Sequence, residues 1–198
     1  MPRQIEFYFD FLSPYSYLAT TQFPQVRAET GAEIVYTPFR ILELMKLVGN
    51  RPTTVECKNK GLYAGADIKR WAARYGAPYA PNQHRRGFDH DLLRRAALAA
   101  IEQGRGDAYV RMIYGAVWAG DVNLAERSNL AALLDQADLE GEALLEIASD
   151  ARYGELLDKS TEAAAQRGVF GSPTFFVGDQ MFFGNDRLDF VVEALKAA

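Results

Sequence analysis

The chain reads as an α/β fold: a βαβ unit first, then an all-helical block, then a ββα unit. Three observations predict it. An aromatic run with period two, Ile5 to Phe9, passes directly into a helix start at Ser13-Pro14. Through the middle of the chain, apolar residues recur at i, i+3, i+4 spacing, the mark of amphipathic helices. Near the C-terminus two short apolar runs flank Gly178-Asp179, a hairpin turn signal. At 198 residues the chain is long enough for a sizeable core with an inserted block.

Each element has its own justification. Ile5, Phe7 and Phe9 alternate with Glu6 and Tyr8, so the first strand has one buried face. Ser13 stands at the N-cap position and Pro14 at N1, where a missing N–H costs nothing. The helix they open is expected to run to about Thr30, with Tyr17, Leu18, Thr21 and Val26 on its inner face and Gly31 as a left-handed stop. Glu33 to Phe39 is the second strand. Strand, helix and strand within some forty residues make the two strands parallel. Ile41–Val48 is a short helix, and Gly49 to Thr54 are turn residues. A helix follows from about Lys60 to Tyr75, closed by Gly76, then an irregular link from Ala77 to His84. Leu92, Ala96, Ala99 and Ala100 form one helical stripe, and Tyr109, Met112, Ile113, Ala116 and Val117 a second. Leu130, Leu133 and Leu134 mark a third, Leu144, Leu145 and Ala148 a fourth, and a fifth runs from Ala151 to Arg167. Thr174–Val177 and Gln180–Phe183 are the hairpin strands. Gly184-Asn185-Asp186-Arg187 opens the last helix, Leu188 to Lys196.

Composition excludes several classes. A net charge of −4 argues against a nucleic-acid surface. Arg85, Arg86, Arg94 and Arg95 are the one candidate basic patch, read as solvated helix ends or contacts for a small anion. The single cysteine, Cys57, rules out an intramolecular disulfide and a Cys-x-x-Cys pair, and no histidine lies near it in sequence to activate it. His84 and His90 have no metal-ligand spacing, so no metal site is expected. No apolar run approaches membrane-spanning length, and the N-terminus lacks a signal-peptide core. The expectation is a soluble cytoplasmic protein.

The element order is the split plan of a thioredoxin-like fold. The two halves, 1–45 and 165–198, are then interrupted by a helical domain at 46–164. Redox members of that fold carry Cys-Pro-x-Cys where this chain has Ser13-Pro14-Tyr15-Ser16. Ser13 therefore sits at the end of a buried strand and at the positive end of a helix, a place that attracts anions, thiolates included. The alternative is a helix cap and nothing more. Ser172-Pro173-Thr174 occupies the position of the cis-proline that faces the active site in this fold. With Pro173 in cis, the backbone N–H and C=O of Ser172 would be free to pair with an extended ligand. A trans-proline at a strand start is the competing reading.

Phe9-Asp10-Phe11-Leu12-Ser13-Pro14-Tyr15-Ser16-Tyr17-Leu18-Ala19 resembles the N-terminal signature of 2-hydroxychromene-2-carboxylate isomerases. These are relatives of the kappa-class glutathione transferases in the DsbA-like branch of the thioredoxin fold. Lys46 with Gly49-Asn50-Arg51-Pro52, Lys60-Gly61-Leu62-Tyr63, Asp67-Ile68-Lys69-Arg70-Trp71-Ala72, Val169 to Thr174, and Phe183 to Leu188 extend the resemblance in order along nearly the whole chain. The resemblance implies a glutathione cofactor with its sulfur against Ser13. It implies further glutathione contacts from Asn50, Ser172, Pro173, Phe183, Gly184, Asn185 and Asp186. Asp186 suits the γ-glutamyl ammonium, and Asn185 with the N–H groups opening the last helix suits its carboxylate. As a plainer role, Asn185-Asp186 would cap that helix. Ser16 is expected to help cap the first helix, without a chemical role. Lys46 matches the lysine near the aromatic carboxylate substrate, with Arg85 or Arg86 assisting.

The implied reaction is cis–trans isomerisation by reversible thiolate addition, bond rotation and elimination, and the implied assembly is a homodimer. On the substrate side the chain departs from the pattern. Thr53-Thr54-Val55 stand where naphthalene-pathway isomerases have an Asn-Arg pair, which leaves Thr54 as the candidate there, and Pro81 to Arg86 lacks the usual tyrosine. A kappa-like transferase and a non-catalytic thioredoxin-like module are the alternatives. Serines at both cysteine positions argue against a disulfide oxidoreductase.

Overall fold

The computed structural model describes residues 3–197; the outer limits of the two predicted halves, at residues 1 and 198, lie outside the described residues. Four strands form one sheet in the order β2-β1-β3-β4. β1 (Gln4–Phe9) runs parallel to β2 (Glu33–Pro38) and antiparallel to β3 (Thr174–Val177), which pairs antiparallel with β4 (Gln180–Phe183). Between β1 and β2 lies α1 (Pro14–Thr30), as the right-handed crossover rule requires for a parallel pair. The helical block comprises α2 (Ile41–Leu47), α3 (Thr53–Glu56), α4 (Lys58–Tyr75), α5 (His90–Glu102), α6 (Gly106–Ala119), α7 (Arg127–Asp135), α8 (Gly141–Ala148) and α9 (Ala151–Gln166). A 3₁₀ turn at Asn185–Arg187 leads into α10 (Leu188–Ala197), and a second 3₁₀ turn, Arg85–Gly87, precedes α5.

The alternation in β1 divides the core. Ile5, Phe7 and Phe9 join Phe23 and Val26 of α1, Phe175 and Val177 of β3, and the inner faces of α5, α6, α7 and α8. Phe7 lies at the centre, stacked 5.3 Å from Phe175 and edge-on to Phe23 at 5.0 Å. Tyr8 and Phe176 point to the opposite face, where Phe39, Leu44, Ala164 and Val169 cover them. A fully buried aromatic such as Phe7 contributes about 2–3 kcal/mol by area alone.

Most predicted elements appear within a residue or two of their expected ends. Gly31 and Gly76 adopt the left-handed conformation and close α1 and α4. The differences have local causes. Asp10 to Leu12 form a turn between β1 and α1, closed by Ser13 N–H donating to the Asp10 carbonyl at 2.9 Å. Thr21 is only half-buried, because Phe23 takes the inner face of α1. On α5 Leu93 is fully buried in the core, with Leu92 half-buried against the same core. Thr53 and Thr54 are helical, forming α3, which packs on α4 with the Thr54 carbonyl against Gly61. The link before α5 is ordered by buried Asn82, whose side-chain amide donates to the carbonyls of Ala116 (3.0 Å) and Val122 (2.8 Å).

Candidate active site

The site forms where the C-terminal end of β1, the start of α1 and the loop before β3 meet. Ser13 is the N-cap of α1: its Oγ accepts from Ser16 N–H at 3.2 Å, with Pro14 in the first turn. The same hydroxyl donates to the Ser172 carbonyl at 2.9 Å, across 159 positions of sequence. The Ser172–Pro173 bond is cis. Ser172 Oγ accepts from Asp10 N–H at 3.1 Å and shares a 2.6 Å hydrogen bond with Ser16 Oγ. Three buried serines thus join the helix start to the proline loop.

Two expectations change here. The Ser172 carbonyl is not free, because the Ser13 hydroxyl occupies it. Ser16 supports the cap through its backbone N–H, whereas its hydroxyl bonds to Ser172.

The residues predicted to contact glutathione continue from this centre. Gly184 N–H donates to the Pro173 carbonyl at 3.0 Å, bringing Phe183 to Asp186 beside the proline loop. Gly184 has φ +104°, and a Cβ there would stand 2.5 Å from Asp186 Oδ1, so this close turn needs glycine. The Phe183 ring packs on Phe170 at 4.6 Å. The Asn50 side-chain amide donates to the Phe170 carbonyl at 2.7 Å, so Asn50 reaches the same loop from the end of α2. Asn185 is buried, and its backbone carbonyl accepts from Tyr75 Oη at 2.8 Å. Asp186 pairs with Arg187 at 2.6 Å. Neither side chain caps the last helix: Gly184 holds the N-cap position of the 3₁₀ turn, so the capping role proposed for Asn185-Asp186 is not observed. Asn185 and Asp186 also line a cavity of about 440 Å³ between α1, α4 and α10.

The residues predicted on the substrate side separate. Lys46 is exposed on the last turn of α2, and Asn50 N–H closes that turn on the Met45 carbonyl at 2.8 Å. The Arg85 guanidinium lies 5.8 Å from the centre of the Trp118 ring, whose indole N–H donates to the Phe11 carbonyl at 3.0 Å. Arg85 therefore flanks the turn that leads to Ser13. Thr54 is exposed on α3, with its backbone carbonyl against Gly61 of α4, so the structure does not tie it to the Ser13 centre. Nor do the four arginines form a patch. Arg94 is buried in a bidentate pair with Asp10, because α5 turns that face inward.

Sequence reasoning left Asp10 without a role. Its carboxylate is fully buried and accepts from Leu12 N–H at 2.9 Å, Ile41 N–H at 2.8 Å and the Arg94 guanidinium at 2.9 Å. Its carbonyl accepts from Tyr114 Oη at 3.0 Å. The bond to Leu12, two residues on, is an Asx turn, a signal legible in Asp10-Phe11-Leu12. Arg94, 84 residues away, had no local signal. Cys57 is exposed at the start of α4. Among the described residues there is no group of three or more His, Cys, Asp or Glu able to hold a metal, and no helix long and apolar enough to cross a membrane.

A strand, a hydroxyl-capped helix start and a cis-proline loop in contact define a thioredoxin-fold site with serines in place of its cysteines. The chain belongs to the DsbA-like thioredoxin family, whose domain model matches residues 4–196. Within that family it belongs with the 2-hydroxychromene-2-carboxylate isomerases. It is 38% identical over 193 residues to the enzyme of that name from Sphingobium xenophagum, covering 96% of this chain and 97% of that one. The solved structure of a 2-hydroxychromene-2-carboxylate isomerase superposes with a TM-score of 0.87 at 30% identity, over 98% of this chain and 95% of the other. Glutathione S-transferase kappa 1 of Homo sapiens is a more distant relative, 26% identical over 216 residues, covering 98% of this chain and 92% of that one.

Proposed function

We propose that this chain is a glutathione-dependent cis–trans isomerase of 2-hydroxychromene-2-carboxylate or a similar aromatic 2-oxo acid. The observation that carries the reading is the Ser13 hydroxyl at the N-terminus of α1, in contact with the cis-proline loop. A serine there cannot form a mixed disulfide, which favours a bound thiol used as a nucleophile. The surrounding residues fit glutathione. A hydroxyl donor and a helix N-terminus suit a thiolate. The close turn at Gly184 presents Asp186, an anion suited to the γ-glutamyl ammonium. Asn50 offers an amide from the other side of the proline loop.

Glutathione, when bound, would supply a thiolate nucleophile for reversible addition to the conjugated carbon, the chemistry that lets the double bond rotate. The chain's residues hold and orient. Ser13 Oγ turns its proton from the Ser172 carbonyl to the sulfur, which frees that carbonyl for a peptide N–H. Lys46 offers a cation to the substrate carboxylate from α2, and Arg85 a second one beside the Phe11 turn. Thr54 and Pro173 complete the proposed set, Pro173 by shaping the loop and Thr54 as the most distant substrate-side candidate. We place the enzyme in aromatic-hydrocarbon catabolism in the cytoplasm, as a homodimer. Exposed Leu42, Leu47, Val55 and Leu62 support the assembly, which light scattering tests.

The test is a thermal shift followed by an absorbance assay. Glutathione at a hundredfold excess over Kd stabilises by about 2.7 kcal/mol, and the absence of any shift would sink the proposal. Wild type then converts 2-hydroxychromene-2-carboxylate with glutathione recovered in full. The similarity to kappa 1 transferase supports a second reading, in which the thiol is consumed as the adduct is released; measuring free thiol separates the two.

A further inference from the structure

The buried Asp10 carboxylate touches two parts of the site at once. Oδ1 accepts from Leu12 N–H, in the turn that presents Ser13. Oδ2 accepts from Ile41 N–H, the first residue of α2. The position before Ile41 is Arg40, whose side chain makes no capping bond. Asp10 therefore supplies from the turn after β1 the anion that an α2 N-cap would ordinarily supply. Helix α2 ends one residue after Lys46. One carboxylate thus anchors both the hydroxyl proposed to face the sulfur and the helix carrying the cation proposed to face the substrate.

A buried carboxylate is held charged only by strong partners. Arg94 meets both Asp10 oxygens, at 2.9 and 3.1 Å, and is itself buried. Its other nitrogen donates to Asp91 at 3.0 Å. Asp91 in turn pairs with Arg40 at 2.8 Å, and Arg40 also pairs with Asp158 of α9. The alternating chain Asp10–Arg94–Asp91–Arg40–Asp158 runs from the site to the surface and passes through the residue that precedes α2. Both ends of the Asp10 contact are therefore braced by the same ions.

We infer that Asp10 is a positioning residue, and that the Asp10–Arg94 pair sets the separation between Ser13 and the start of α2 and so aligns the two halves of the reaction site. The catalytic part of this rests on the function proposed above; the mechanical coupling does not. Loss of the guanidinium releases the Leu12 turn and α2 together, because they share one anchor. A step that needs sulfur and substrate in register suffers more than binding of glutathione alone.

The experiment compares wild type with Arg94→Met, Arg94→Lys and Asp10→Asn, each shown folded by circular dichroism. In Arg94→Met the Leu12 and Ile41 amides exchange hydrogen at least about tenfold faster and in step, while amides of α10 stay within about twofold. In the same variant kcat/KM for 2-hydroxychromene-2-carboxylate falls at least about tenfold further than the affinity for glutathione, and Arg94→Lys recovers part of it. The inference is overturned if only one of the two amides responds. It is equally overturned if exchange rises across the whole molecule, or if turnover in folded Asp10→Asn equals wild type. A wild type that fails to bind glutathione refutes the proposed function instead, and the amide measurement still decides the coupling.

Discussion

At the scale of single residues, the Ser13 hydroxyl has two acceptors to choose between. In the structure it donates to the Ser172 carbonyl; with a thiolate present, a charged acceptor competes for the same proton. A hydrogen bond to a charged group is worth about 1.5–3 kcal/mol. Ser13→Ala is therefore expected to slow isomerisation at neutral pH by about ten- to a hundredfold and to raise the pKa of the bound thiol. Absorbance of the thiolate during a pH titration checks this, and an unchanged titration would remove Ser13 from the proposed role. Gly184 is constrained by geometry. Its φ of +104° strains any L side chain, and a Cβ would displace the Asp186 carboxylate, whose Oδ1 would lie 2.5 Å from it. Gly184→Ala is expected to cost about 1–3 kcal/mol of stability by strain and crowding. It should also weaken glutathione binding, measured by calorimetry on the folded variant.

At the scale of elements, α5 ties the helical block to the site and also carries an acid-sensitive start. His90, its first residue, donates from Nε2 to the Arg85 carbonyl at 2.9 Å. Burial pushes its imidazole below the ordinary value of 6.5. The unfolded chain therefore binds the proton first, and stability present above about pH 6.5 is lost as pH falls towards the lower folded value. Next to it, hydrogen bonds from Arg40 hold the Asp91 carboxyl below its ordinary 3.8, despite partial burial. That contribution is present above 3.8 and lost on further acidification. Both slopes have the same sign but occupy separate windows. His90→Gln is expected to flatten the fall in stability between pH 7 and 5, and Asp91→Asn the fall below pH 4. Denaturant melts across pH read both; a His90→Gln slope equal to wild type between pH 7 and 5 would contradict the first. Asp91 is half-exposed, so solvent screening keeps its loss at neutral pH to roughly 1 kcal/mol.

At the scale of the whole molecule, one core runs from the sheet into the helical block. Phe9 and Phe11 touch Tyr114 of α6, and Phe11 also touches Tyr109. Arg27 of α1 reaches Asp107 of α6 at 2.5 Å, and Tyr36 of β2 bonds to the same carboxylate. Neither the two sheet halves nor the helices enclose these residues alone. The protein is expected to unfold in a single transition, with calorimetric and van't Hoff enthalpies equal. A fragment spanning 46–164 should lack near-ultraviolet dichroism, since Tyr109 and Tyr114 lose their aromatic neighbours. Two resolved calorimetric transitions would show that the halves are energetically separate.

Local chemistry made much of this readable in advance. Period-two aromatics define β1, Ser13-Pro14 and Gly31 bound α1, and Gly178-Asp179 turns β3 into β4. Each rests on interactions within a few residues, which sequence order alone determines. The same order puts serines in place of both site cysteines. Tertiary structure decided what those groups touch. Arg94 resembled a solvated helix end until α5 turned it onto Asp10, and the Ser172 carbonyl looked available until Ser13 reached it. Thr54 had no local signal for its surroundings: its backbone carbonyl packs on Gly61 of α4 while the residue stays exposed. An ion pair or hydrogen bond across 84 or 159 positions depends on how whole elements pack, and hydrophobic burial, which drives that packing, has no direction of its own. Sequence determined the elements and the chemistry they carry; packing alone determined which polar groups meet.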